Sequence, residues 1–139
     1  AKICFMDEVS NRFDYITAFD AIHDQSHPVE VLKSVRHMLS PGGLFSMVDI
    51  KAGSNHSDNI DHPMGPFLYT VSLLHCMPIG LNDEGDGLGM MWGTQKAEEL
   101  LKKAGFEHIE IAEMDFDPFN VHFLCRVPGM GISPRPAPQ

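Results

Sequence analysis

A chain of 139 residues with 43% hydrophobic content is long enough to bury one core without disulfides and too apolar to remain unfolded. Its formal charge of −9, with ten Lys and Arg scattered and unclustered, excludes a partner held chiefly by phosphate neutralisation, so no nucleic acid is expected. Cys4, Cys76 and Cys125 make no CxxC pair and read as reduced thiols; the longest apolar stretch, Phe67 to Leu81, is broken by Ser72, His75 and Pro78, so neither a membrane span nor a leader is expected and a cytoplasmic protein is.

In chain order, Asp14 to Ala21 mixes β-favouring apolar residues with others and reads as a largely buried strand. His27-Pro28 then opens a helix with proline at its first position, and Val31, Leu32, Val35, Met38 and Leu39 form one apolar stripe. Ser40-Pro41-Gly42-Gly43 stops it, and a second strand, Leu44 to Ile50, follows. Strand, helix and strand make a βαβ unit with parallel strands, so the fold class is α/β. The polar stretch Lys51 to Asp61 leaves the C-terminal end of that strand, the edge where open α/β sheets bind ligands.

His62 to Leu81 carries apolar residues at roughly helical spacing and reads as an inserted helix or helical hairpin. Asn82 to Gly93 reads as a flexible loop bearing Met90, Met91 and Trp92; its Gly85, Gly87 and Gly89 do not follow the phosphate-cradling spacing and no strand leads into them. Thr94 is the expected N-cap of the next helix, which buries Ala97, Leu100, Leu101 and Ala104 and closes at Gly105. Phe106 to Met114 and Val121 to Val127 alternate as strands of an antiparallel hairpin joined by Asp115 to Asn120. The proline-rich residues 128–139 are expected to be a disordered tail beyond a domain spanning 1–127, within which 51–93 is an insert.

The chemistry-bearing residues fall at strand ends and in the insert. His23 and Asp24 follow the first strand, where they serve either a ligand or the cap of the next helix, and Asp49 ends the second. His56, Asp58, Asp61 and His62 match no ligand spacing and read as a solvated loop, so no metal site is assigned. Tyr69, His75 and Met77 on the inserted helix serve packing or a substrate.

Several local phrases carry a family resemblance. Phe13-Asp14-Tyr15-Ile16 resembles the fourth strand of class I S-adenosylmethionine-dependent methyltransferases, Leu39-Ser40-Pro41-Gly42-Gly43-Leu44-Phe45 the turn into their fifth, and Lys103-Ala104-Gly105-Phe106 the exit of their last helix. Asp20-Ala21-Ile22-His23-Asp24, Ser72-Leu73-Leu74-His75-Cys76-Met77-Pro78 and Gly87-Leu88-Gly89-Met90-Met91-Trp92-Gly93 are similar to a little-characterised subgroup of small-molecule methyltransferases in which a winged helix often precedes the catalytic domain. The resemblance implies the C-terminal half of a Rossmann-like methyltransferase sheet: two parallel strands joined by a helix, then an antiparallel hairpin.

It further implies that Phe19, Asp20, Ala21, Ile22 and His23 line the methionine and sulfonium side of S-adenosylmethionine, with Asp7 near the adenine. His23, Asp24, Asp49 and His75 become candidates for substrate orientation or proton removal, and Tyr69, Met90 and Trp92 the apolar walls around a small-molecule acceptor. The glycine-rich cofactor loop and the ribose-holding acid of the family are not found in the chain, so alone it is expected to be an incomplete, inactive site. The strand at 14–21, central in the intact sheet, then presents an edge that should pair with the missing half or with a second copy. The competing expectation is a non-catalytic, oligomerising module derived from the same fold.

Overall fold

A computed structural model describes residues 9–129, so Cys4, Asp7 and residues 130–139 of the expected tail lie outside the described residues. Four strands, β1 (Phe13–Phe19), β2 (Leu39–Ile50), β3 (His108–Met114) and β4 (Asp117–Arg126), form one sheet in the order β1-β2-β4-β3. β1 and β2 run parallel, and β4 is antiparallel to both β2 and β3. The expected βαβ unit and hairpin are both present, and the hairpin's second strand lies beside β2.

Helix α1 (Pro28–Met38) connects the parallel pair, and α4 (Thr94–Lys103) precedes β3. They pack on each other, and their buried Leu32, Val35, Ala97, Leu100 and Leu101 meet Phe45, Met47, Phe123 and Cys125 of the sheet. Phe106 seals this core by stacking on Phe45 at 5.8 Å, but it precedes β3 rather than opening it as the alternation suggested. The inserted segment is one helical run, α2 (Gly65–Val71), a π-helical stretch Ser72–Cys76, and α3 (Met77–Gly80). No described helix is long and apolar enough to cross a membrane.

Four further expectations need correction. β1 is not largely buried: Ile16 and Ala18 pack on the core, while Tyr15 and Phe19 are 58% and 63% exposed. Hydropathy signalled a strand but could not reveal that, among the described residues, only β2 pairs with it. Ser40–Gly43 is not a turn ahead of β2 but a bulge within it, since Phe13 pairs with Leu39 while Tyr15 already pairs with Leu44. Gly43 suits that bulge because a Cβ there would lie 2.8 Å from the Ser40 carbonyl.

Thr94 is not the N-cap. Gly93 holds that position at φ +83°, and Ser54 Oγ, from a distant loop, accepts the Lys96 N–H at 2.9 Å while Gln95 Oε1 accepts the Ser54 N–H at 3.0 Å. Finally, the loop 82–93 is tied down: Met91 and Trp92 are buried, Met90 N–H donates to Ser72 Oγ at 3.0 Å and Asp86 N–H to the Ser26 carbonyl at 2.8 Å.

Candidate functional site at the ends of the parallel strands

Because β1 and β2 are parallel, their C-terminal ends lie side by side, and the ladder extends to an Asp20 N–H bond to the Val48 carbonyl at 3.0 Å. Asp20 then takes φ +44°, a left-handed value that Asp tolerates better than most residues, and the chain leaves the sheet. Ile22 enters the core, and the next side chain, His23, is buried beneath the strand ends at 1% exposure.

Asp49, equally buried, organises the site. Its Oδ1 accepts from His23 Nδ1 at 2.8 Å, Trp92 Nε1 at 3.1 Å and the Ile50 N–H at 2.9 Å, while its buried Oδ2 has no hydrogen-bond partner. A carboxylate only accepts, so the His23 proton sits on Nδ1 and Nε2 is the basic nitrogen. Nε2 faces Asp24 Oδ1 across 3.5 Å, and that oxygen is buried without a hydrogen-bond partner. On the far side stands Cys76, whose thiol is within hydrogen-bonding reach of the Asp24 carboxylate. The π-helical stretch turns Ser72 and Cys76 inward and leaves Leu73, Leu74 and His75 exposed.

The electrostatics follow from burial and from three neighbouring carboxylates. Burial alone would lower the His23 pKa, but the Asp49 hydrogen bond and charge, followed by the charges of Asp24 and Asp20, raise it. Burial and the nearby Asp49 charge raise Asp20 above 3.8. Burial and the bond to Asp24 push the Cys76 thiol up to about 11. The nest thus carries more negative charge than its single imidazole can offset.

A second feature lies beside it. Between the inserted helix, the loop 82–93 and the start of α4 is a cavity of about 600 Å³, walled by Tyr69, Leu73, Met77, Leu88, Met91 and Trp92. Trp92 belongs to both regions, its ring lining the cavity and its N–H holding Asp49. The cavity wall includes none of Phe19, Asp20, Ala21, Ile22, His23, Asp24 or Asp49. Tyr69 packs its ring at a 30° tilt against His56, 5.5 Å between centroids, and its hydroxyl accepts from Asn59 Nδ2 at 3.0 Å. The same Asn59 side chain brackets Gly53, bonding its N–H and its carbonyl at 2.8 Å each, so the loop after β2 is folded around one buried amide.

Of the candidates, His23, Asp24 and Asp49 come together, and His75 lies exposed outside their cluster. Phe19 and Asp20 are open at the strand end, Ala21 is half-buried and Ile22 is core. Tyr69 and Trp92 share the cavity wall, while Met90 packs behind it against the small cluster of Ile50, Ala52 and Leu68. His56, Asp58, Asp61 and His62 do not converge: among the described residues, the His, Cys, Asp and Glu group close enough to share an ion is His23, Asp24 and Cys76. Cys76 and the Trp92 bond had no signal in the sequence, because they reach the site from separate elements.

The fold matches solved structures over most of the chain. TnmH matches with a TM-score of 0.64 at 16% identity, over 87% of this chain and 32% of that one. The trans-methyltransferase CalH, in complex with SAH, matches at 0.61 and 25% identity over 86% of this chain and 31% of that one. A putative O-methyltransferase from Nostoc punctiforme matches at 0.60 and 17% identity over 84% and 32%. The chain is the C-terminal part of a methyltransferase fold. It spans about a third of the length of these three structures. No protein-family model matches the sequence, and no curated protein does.

Proposed function

We propose that the strand-end nest is the sulfonium-side wall of an S-adenosylmethionine-dependent methyltransferase acting on a small-molecule acceptor. The observation that carries this reading is the buried, oriented Asp49–His23 pair at the C-terminal ends of two parallel strands of a methyltransferase fold. Bound there, the cofactor supplies an electrophilic methyl group on a cationic sulfur. The residues present suit that end of it: Asp20, Asp24 and Asp49 lie around one imidazole, and the Asp20 carboxyl, raised first by burial and then by the Asp49 charge, is in surroundings that a cation relieves. Phe19 and Ala21 add open and half-open apolar surface, and Ile22 supports them from the core. Among the described residues, no glycine-rich loop following a strand is available for the adenosine end.

In this reading an acceptor that extends from the cavity past Trp92, the residue shared with the nest, gives its proton to His23 Nε2, and Nδ1–H bonded to Asp49 steadies the resulting imidazolium. Most of the rate gain then comes from holding acceptor and methyl in line away from water. Tyr69 and Trp92, backed by Met90, form the apolar wall of the acceptor cavity. The buried free thiols of Cys76 and Cys125 suit a reducing cytoplasm. SAH titrated to millimolar concentration should shift the backbone amide resonances of Phe19–His23; if those resonances stay unmoved, the strand ends are not a cofactor wall.

A second reading rests on β1. Among the described residues its outer edge pairs with no strand, and that edge with the exposed Phe13, Tyr15 and Phe19 supports pairing with the rest of a methyltransferase sheet or with a second copy, with or without catalysis. The incomplete site predicts that the 139-residue chain alone binds S-adenosylmethionine more weakly than micromolar in calorimetry, and tighter binding refutes incompleteness. A well-folded monomer in sedimentation would refute edge pairing.

A further inference from the structure

His23, Asp24 and Cys76 come from two elements and have no ligand spacing in the sequence, yet their ligand atoms all lie within 4.8 Å of one another. Three observations distinguish them from an ordinary polar cluster. First, His23 Nδ1 is committed to a buried carboxylate, the outer contact by which proteins orient a metal-binding histidine and leave Nε2 as donor to the ion. Second, Nε2 and Asp24 Oδ1 stand 3.5 Å apart. That is too long for a charge-assisted hydrogen bond, about 2.7–2.9 Å. It does match two ligands on one tetrahedral ion, since bonds of roughly 2.1 Å put neighbouring N and O ligands about 3.4 Å apart. Third, Asp24 Oδ1 is buried with no hydrogen-bond partner, a costly state that a cation resolves.

We propose that His23 Nε2, Asp24 Oδ1 and Cys76 Sγ bind a single divalent ion of the zinc class. One neutral imidazole, one carboxylate and one thiolate balance the double positive charge among the ligands themselves, and the neighbouring Asp49 carboxylate further favours a cation there. The softness of the thiolate selects zinc or cobalt over magnesium or calcium, and three protein ligands leave a fourth position for water. On binding, the thiol proton leaves to solvent and the sulfur's lone pair bonds the ion; no oxidant or reductant takes part. The ion and the acceptor's proton compete for the same nitrogen, so the filled site is a resting form in which the base of the proposed methyl transfer is masked.

The test uses cobalt as probe and needs neither methyl donor nor acceptor, so it stands or falls separately from the methyltransferase reading. Cobalt added to the protein should give one equivalent of tetrahedral visible bands and a near-ultraviolet thiolate band, both abolished by stoichiometric zinc. Cys76→Ser should remove the thiolate band and weaken zinc at least tenfold. Asp24→Asn should weaken zinc at least tenfold while keeping the thiolate band, and it decides the matter if Cys76→Ser fails to fold by circular dichroism. Asp49→Asn, which touches no ion, should weaken zinc about tenfold by releasing the imidazole. Asp61→Asn, in the exposed histidine and aspartate loop, should change nothing. The proposal is overturned if cobalt gives no thiolate band, if Asp24→Asn binds zinc as tightly as the unchanged protein, or if the ion is lost with Asp61→Asn.

Discussion

The nest around Asp49 and the cavity beside it are built in opposite ways. The nest draws His23, Asp49, Cys76 and Trp92 from four separate stretches and holds them by hydrogen bonds in the dry interior. The cavity comes from residues 54–96, and its walls are mostly apolar side chains on one helix and one loop. Replacing a wall residue changes shape by a methyl or a ring, whereas replacing a nest residue strands several donors at once. In the proposed methyltransferase reading, chemistry belongs to the part that tolerates least change, and selectivity to the part that tolerates most.

Asp49→Ala tests that contrast most severely. It leaves the His23 Nδ1–H, the Trp92 indole N–H and the Ile50 N–H without their acceptor, and should cost about 3–5 kcal/mol in denaturant unfolding. A loss below ~1 kcal/mol would mean the nest is not the rigid half. Trp92→Phe separates the two regions, because it keeps an aromatic wall but removes one bond to Asp49. Roughly 1–2 kcal/mol should be lost with the cavity still closed, and a neutral result would show that the indole only fills space.

Ser54→Ala probes the hinge between the cavity rim and α4, and the lost surrogate cap should cost about 1 kcal/mol. The smallest effect is expected from Asp20→Asn. The Asp20 carboxyl is raised in the folded protein, so its ionised form opposes folding above that raised value, while at acid pH the protonated group does not. Asp20→Asn should therefore raise the melting temperature at pH 7, and the gain should vanish toward pH 3. A gain equal at both pH values would mean that folding does not raise the Asp20 carboxyl.

The βαβ unit, the hairpin and the amphipathic α1 and α4 were legible because each rests on a local pattern: Leu32 and Val35 on one stripe, Leu100 and Leu101 on another, alternation along β3 and β4. His23 and Asp49 were legible as candidates because parallel strands bring their C-terminal ends together whatever the side chains. What escaped depended on distant partners. Thr94 looked like the cap because nothing local reveals that Ser54 supplies the oxygen forty-two residues before Lys96. Asp14 to Ala21 looked buried because hydropathy cannot count neighbouring strands, and Cys76 looked ordinary because the carboxylate it meets, Asp24, lies on a distant segment.

The chain contains one tryptophan, Trp92, and its indole N–H is bonded to the carboxylate that orients His23 while its ring faces the cavity. Its emission is consequently an optical readout without labels or background: a guest against the ring alters its polarity, whereas an event at His23 reaches it through the charge on Asp49. Two ligand classes can thus be told apart by wavelength shift against quenching, in a single cuvette.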